Sequence, residues 1–340
     1  MAGISIGRTG INVERNAFGV LPAQRIPLKE AAYLLKKAYD GGMGYFDTAR
    51  AYTDSEDKLN AAFSGMREKV VIATKSGART GQGVLDDLHE SLKRLGTDYI
   101  DVYQPHNPPF CPRPGDESGI YDVLLKAKEQ GKIRVIGITN HRLDVATEAV
   151  DSGLYETLQF PLSYLSGEKE LALAKSCEEK NVGFIAMKAL SGGLITNAKA
   201  ACAWIMRTNN VVPIWGIQRE SELDEFLGYI QNPPELDKEL EELIEADRIA
   251  LDGEFCRGCG YCCPCPQGIV IHMAARASLL LRRAPLSMML SENGRNIMKQ
   301  AEKCTGCGLC KTKCPYGLDT PALLKKNCQD YREVLAGKPM

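Results

Sequence analysis

Between Asn16 and about Tyr229 the chain alternates between two hydrophobic periods. Short β-rich runs predict strands at Ala17–Val20, Tyr45–Thr48, Val70–Lys75, Ile100–Gln104, Ile133–Thr139, Thr157–Phe160, Gly183–Lys188 and Val211–Ile217. Between them apolar residues recur at helical spacing. Leu34, Leu35 and Ala38 share a face of 28–41, and Leu85, Leu88, Leu92 and Leu95 share a face of 84–95. Glycines close several of these stretches, among them Gly41, Gly96, Gly131 and Gly153. Such alternation predicts a mostly parallel sheet covered by helices. Eight strands in roughly 215 residues fit a TIM-type (β/α)8 barrel, which typically takes about 250 residues, better than an open doubly wound sheet. No glycine-rich dinucleotide fingerprint follows the first strand, which also disfavours the open sheet.

The stretch Gln231-Asn232-Pro233-Pro234 reads as a linker. It divides the chain into a barrel at 1–232 and a smaller domain at 233–340 that opens on a charged helix over 236–250. The residues after about Tyr331 are expected to form a loosely held tail.

A net charge of −1 provides no global field for nucleic acid or an anionic membrane, so neither is expected as a partner. The first residues contain no long apolar core, and an export signal is not expected. The apolar patch 279–290 is interrupted by Arg282, Arg283 and Pro285 and is too short to span a bilayer. Cysteine changes the picture. Of 13 cysteines, nine lie between Cys256 and Cys314. Clustering of this kind without an export signal points to metal ligation in a reducing compartment, the cytoplasm, rather than to disulfides.

Two motifs carry the cluster of thiols. Cys304, Cys307, Cys310 and Cys314-Pro315 follow the C-x2-C-x2-C-x3-C-P spacing of bacterial ferredoxins. Cys256, Cys259 and Cys262 repeat the first part, and Cys265-Pro266 closes it with one residue fewer. Three thiolates two residues apart can hold three corners of one cube, and the intervening glycines let backbone N–H groups face the sulfides. The fourth cysteine, before proline, completes the other cube in two-cluster ferredoxins. By that rule Cys256, Cys259, Cys262 and Cys314 hold one 4Fe-4S cluster, and Cys265, Cys304, Cys307 and Cys310 the other. Cys263 is a spare thiol, and either it or Cys262 is the third ligand. Two tetrahedral zinc sites would also use eight thiolates, but the terminal Cys-Pro favours iron–sulfur. The 38 residues between the motifs have helical character, so the second domain is expected to be ferredoxin-like and mainly helical. Lys303, Lys311 and Lys313 would suit an acidic redox partner protein, though a solvated face accounts for them as well.

Barrel enzymes act at the C-terminal ends of their strands. Asp47, Lys75 and His106 fall there, and Tyr52 follows in a loop. Any one of them alone would more often be structural; four on one rim suit hydride transfer to a carbonyl. The nascent alkoxide needs a proton. A tyrosine supplies one once its pKa, about 10 unperturbed, is lowered by an adjacent ammonium. A carboxylate holds that ammonium charged, and a histidine orients the substrate oxygen.

The segments Phe46-Asp47-Thr48-Ala49, Tyr52, Ser55-Glu56, Ala73-Thr74-Lys75 and Asp101-Val102-Tyr103-Gln104-Pro105-His106 resemble the aldo-keto reductase family. So do Gly7-Arg8-Thr9-Gly10 and Ile136-Gly137-Ile138-Thr139-Asn140. The match covers about residues 3–229, and the whole chain resembles the subgroup with a C-terminal ferredoxin-type extension. The resemblance implies that Asp47, Tyr52, Lys75 and His106 are the catalytic tetrad and that NADP or NAD is the cofactor. It implies that Thr139, Asn140 and Gln159 hold the nicotinamide amide and that Ser191, Gly192 and Gly193 lie against the pyrophosphate. Gly216, Gln218, Arg219 and Ser221 sit where the eighth loop meets a helix N-terminus, a place that suits anionic groups. Arg219 either reads a 2′-phosphate or makes a surface salt bridge.

The expected function is interconversion of a small carbonyl compound and an alcohol. Clusters move one electron each, whereas a nicotinamide moves two as hydride. The clusters are therefore structural, or redox-sensing, or exchange electrons with another group. The alternative reading is an iron–sulfur electron-transfer protein whose barrel binds a substrate, flavin or redox partner.

Overall fold

The computed structural model describes residues 3–251, 255–283 and 287–338. The chain opens with an antiparallel hairpin, β1 (Gly3–Ser5) and β2 (Asn12–Glu14), in which Ile4 faces Val13. Eight parallel strands follow: β3 (Ala17–Gly19), β4 (Tyr45–Asp47), β5 (Val71–Ser76), β6 (Ile100–Pro105), β7 (Ile133–Thr139), β8 (Thr157–Pro161), β9 (Gly183–Met187) and β10 (Val211–Gly216). They close in chain order into a barrel, with β10 pairing back onto β3. The expected barrel and all eight of its strands are observed. The hairpin was not foreseen, because strands of three residues leave no readable alternation.

Parallel strands buried on both faces are nearly continuous hydrophobic runs, as Val211–Gly216 shows; Ile100–Pro105 is buried throughout but encloses Asp101 and Gln104. The barrel interior contains Ala17, Tyr45, Ala73, Val102, Val135, Ile185 and Val212, and the hairpin contributes Ile6 and Val13 to the same cluster. The hairpin thereby plugs the N-terminal end. Its contact with β9 is too close for a side chain: a Cβ on Gly183 would lie 2.2 Å from Cγ2 of Ile6, and one on Gly7 2.3 Å from the Gly183 nitrogen.

The outer helices bury the faces read from their spacing. Leu28–Asp40 buries Ala31, Leu34, Leu35 and Ala38. The helix expected over 84–95 begins earlier, at Gly81, because the Thr80 side chain caps it by accepting from the Gly83 nitrogen; it stops at Gly96 in the left-handed region.

Contacts group the chain into one unit comprising 1–189 and 202–236, and a second comprising 190–201 and 237–340. In the second, Asp237 caps the helix Lys238–Ala250. Short helices and loops follow, ending in the helix Thr320–Leu335. A loose tail was expected after about Tyr331, but that helix runs four residues further, to Leu335, and Arg332 pairs with Glu302 at 2.9 Å. Among the described residues no helix is long and apolar enough to cross a membrane. Pro285, one of the interruptions of the apolar patch, lies outside the described residues.

Candidate functional site

Strand pairing brings Asp47 beside Ala73, and Lys75 beside Gln104. The Lys75 ammonium donates to both carboxylate oxygens of Asp47 at 2.7 Å and to the Thr48 carbonyl at 2.5 Å. Both partners are buried, Lys75 1% and Asp47 3% exposed. Burial pushes the Asp47 carboxyl up and the Lys75 ammonium down, while each charge works to keep the other ionised. The same ammonium stands 5.5 Å from the centre of the Tyr52 ring, and the His106 ring meets Tyr52 edge-on at 6.0 Å. All four expected residues are brought together at one end of the barrel. Burial, aided by the cations of Lys75 and Arg79, pushes His106 down to about 3, so the imidazole is neutral near pH 7.

Further groups surround this quartet. Gln159 donates to Asp47 at 3.4 Å and accepts from Gln104 at 2.9 Å, so the Asp47 carboxylate is oriented from two sides. The buried carboxylate of Glu56 accepts from Thr74 at 2.8 Å and pairs with Arg50, whose backbone N–H donates to the Lys75 carbonyl. Glu56 stood in the motif already quoted, and its invisibility as a functional group came from the helix position it occupies. His141 is also buried, and burial together with the charge of Lys188 and the nearby His106 pushes it well below its ordinary value. Its position directly after Asn140 was the one signal for it.

The residues expected to bind the nicotinamide sit at the strand ends, Thr139 on β7 opposite Gln159 on β8. Asn140 is committed within the chain: its amide donates to the Pro108 carbonyl at 2.9 Å and its oxygen accepts from His141 and Arg142. At the end of β10, Gly216 leads into the helix Glu220–Gln231, near whose start Gln218, Arg219 and Ser221 lie. The N–H groups of Gln218 and Arg219 both donate to Glu222 at 3.0 Å, and the Arg219 guanidinium pairs with the same carboxylate at 2.5 Å. These two donors reach an anion only when Glu222 turns away. Ser191, Gly192 and Gly193 form a turn with φ of 47°, 65° and 92°, and contacts place it in the second unit.

The thiols of the second unit line two concavities. One is walled by Cys256, Cys259, Cys262 and Cys314. The other is walled by Cys265, Cys304, Cys307 and Cys310, and Cys262 borders both. The cysteine before each proline thus lies in the cavity of the opposite motif. Motif glycines Gly258, Gly260, Gly306 and Gly308 all take positive φ, and the Gly258 N–H points at the Cys256 sulfur at 3.4 Å. Cys263 borders neither cavity; its sulfur lies 3.7 Å from Nδ1 of His272. Among the described residues no three His, Cys, Asp or Glu side chains converge on a point that a single ion would occupy. The donor set fits a group with volume of its own, as a cubane has. Of the three lysines, Lys311 pairs with Asp319 at 2.9 Å.

Comparison with known proteins agrees with this division. The profile of the Aldo/keto reductase family matches residues 15–201, and that of the 4Fe-4S dicluster domain matches 255–319. L-galactose dehydrogenase of Arabidopsis thaliana is 31% identical over 211 residues, which is 56% of this chain and 66% of that protein. Aldo-keto reductase YhdN of Bacillus subtilis is 28% identical over 183 residues, 49% of this chain and 54% of that protein. The NADH-specific methylglyoxal reductase of Escherichia coli is 28% identical over 252 residues, 62% and 76%. The chain thus spans less than two thirds of the length of the first two. A solved aldo-keto reductase structure from Pseudomonas aeruginosa superposes with a TM-score of 0.61 at 24% identity, covering 67% of this chain and 93% of that one, a likeness of fold. The chain belongs to the aldo/keto reductase family of oxidoreductases and carries a C-terminal 4Fe-4S dicluster domain.

Proposed function

We propose that the barrel interconverts an aldehyde or ketone and the corresponding alcohol, using NADPH or NADH. The observation that carries this reading is the Lys75 ammonium, held by Asp47 at 2.7 Å and 5.5 Å from the Tyr52 ring. The nicotinamide supplies hydride to the carbonyl carbon when bound. Tyr52 gives its phenolic proton to the carbonyl oxygen as negative charge gathers there, and recovers one from solvent. The nearby ammonium stabilises the phenolate left behind, and Asp47 keeps that ammonium charged despite its burial. Neutral His106 directs its one ring N–H at the same oxygen without competing as an acid, since the imidazolium's extra proton is already gone near pH 7. Thr139, Asn140 and Gln159 are proposed to meet the nicotinamide amide, and Ser191–Gly193 with Gly216, Gln218, Arg219 and Ser221 the phosphates.

Each four-cysteine cavity is proposed to hold one 4Fe-4S cluster, with Cys262 rather than Cys263 as the third ligand of the first. The cavity walls support that choice. Thiolate ligands require a reducing compartment, which favours the cytoplasm. A second reading, single-electron relay, draws on Cys262 bordering both cavities, which would set two clusters side by side.

A panel of aldehydes, ketones and sugars assayed anaerobically with both nicotinamides tests the first reading. Tyr52→Phe is expected to cost about 10²–10⁴-fold in carbonyl turnover while nucleotide affinity stays within about twofold. Full turnover in that variant would show that the proton comes from elsewhere. Bleaching of the cluster absorbance by NADPH alone would favour the relay.

A further inference from the structure

Arg276 is 8% exposed, and its interactions all fall within the second unit. Nε donates to the His272 carbonyl at 3.0 Å, Nη1 to the Gly192 carbonyl at 2.8 Å, and Nη2 approaches the Met273 sulfur at 4.0 Å. Glycines stand on two sides of the guanidinium. A Cβ on Gly258 would lie 2.7 Å from Cζ, and one on Gly192 2.9 Å from Nη1. Among the described residues no carboxylate pairs with it; the acidic groups acting on its charge are the thiols of Cys256 and Cys259. Burying a cation without an opposing charge is strongly unfavourable. In the turn whose carbonyl it grips, Ser191 takes a positive φ that costs a non-glycine residue strain, while Gly192 and Gly193 adopt it freely.

We propose that Arg276 is the charge partner of the first cluster and, through the Gly192 carbonyl, the tie that makes the Ser191–Gly193 turn depend on that cluster. This rests on the reading that Cys256, Cys259, Cys262 and Cys314 hold a cluster. A thiolate-ligated cubane gains negative charge on reduction, and a fixed cation in a dry site favours the more negative state. Arg276 therefore raises the potential of the first cluster and leaves the second unaffected. The same side chain carries any loss of that cluster to Gly192.

The full chain, reconstituted with iron and sulfide under anaerobic conditions, is titrated with dithionite and followed by electron paramagnetic resonance. Hydrogen exchange is read in parallel over residues 190–197. In Arg276→Gln, one of the two reduction steps is expected to move to lower potential, so that the reduced fraction at a fixed potential falls at least tenfold, while the other step stays in place. Arg276→Lys keeps the charge and loses the fork, so its step is expected near that of the wild type. Exchange over 190–197 rises at least tenfold in both variants, and in wild-type chain stripped of iron. Equal potentials in the wild type and Arg276→Gln overturn the charge role, as does an equal shift in both variants, which a purely structural role would produce. If Arg276→Gln takes up one cluster only, Arg276→Lys decides: two clusters sustain the charge role, and one overturns it. Unchanged exchange overturns the tie. A wild-type chain that holds no iron–sulfur overturns the cluster reading itself, and this is seen before any variant is compared.

Discussion

The two chemical regions of this chain settle their charges in opposite ways. In the barrel, protein supplies both signs: Lys75 and Asp47 meet at 2.7 Å, and Arg50 meets Glu56. In the second unit the buried Arg276 faces thiols and backbone carbonyls, and the cysteines line cavity walls instead of pairing with one another. The barrel site is preorganised as polypeptide. On the cluster reading proposed above, the cysteine unit would reach balance only together with its clusters.

The largest test of this contrast is removal of iron. Chelation under reducing, mildly acidic conditions is expected to unfold much of 255–338 while the barrel keeps its structure, because ligand binding energy in such a unit is folding energy. Limited proteolysis would show a protected fragment of about the barrel's size, and simultaneous loss of both units would erase the contrast. Next in size, Asp47→Asn leaves a buried ammonium without its partner and is expected to destabilise the barrel by about 3–5 kcal/mol. Adding Lys75→Met to that variant restores most of the stability in denaturant titration but none of the turnover.

A smaller effect is expected with pH. Folded His106 takes up a proton only near pH 3, whereas an unfolded histidine does so near 6.5. The unfolded chain therefore binds more protons in that window, and stability falls as pH drops from about 6.5 toward 3. His106→Gln is expected to spare about 2 kcal/mol of this loss at pH 5, at about 1.4 kcal/mol per pH unit. A stability curve over pH 7–4 with no difference between the two chains would contradict the buried neutral imidazole. The smallest effect concerns Glu222, whose carboxylate occupies the Gln218 and Arg219 donors. Glu222→Gln is expected to tighten NADPH binding a few-fold, and NADH binding less, in fluorescence titrations; weaker binding of both would mean that the carboxylate orders the site.

The barrel was legible because strands buried on both faces and helices buried on one leave different periods in the sequence. The proximity of Asp47, Lys75 and His106 was legible because they fall at predicted strand ends within local motifs, with Tyr52 in the loop after the first of them. The Gln104–Gln159–Asp47 chain was not, since its members lie on three strands and meet only through barrel closure. The cysteine grouping came from the spacing together with the two-cluster ferredoxin rule, and the two cavities are lined in that grouping. Arg276 had no such signal: it is an arginine in a helical run, and the carbonyl it grips lies 84 positions away. Likewise the occupation of the N–H donors near Arg219 was not read from the sequence, because Glu222, one helical turn on, folds back onto them.

The hairpin that plugs the N-terminal end gives the barrel a sealed floor. A guest reaching the four polar side chains has the same doorway for arrival and departure. On the function proposed above, nicotinamide and carbonyl compound would both have to reach those side chains from that one end.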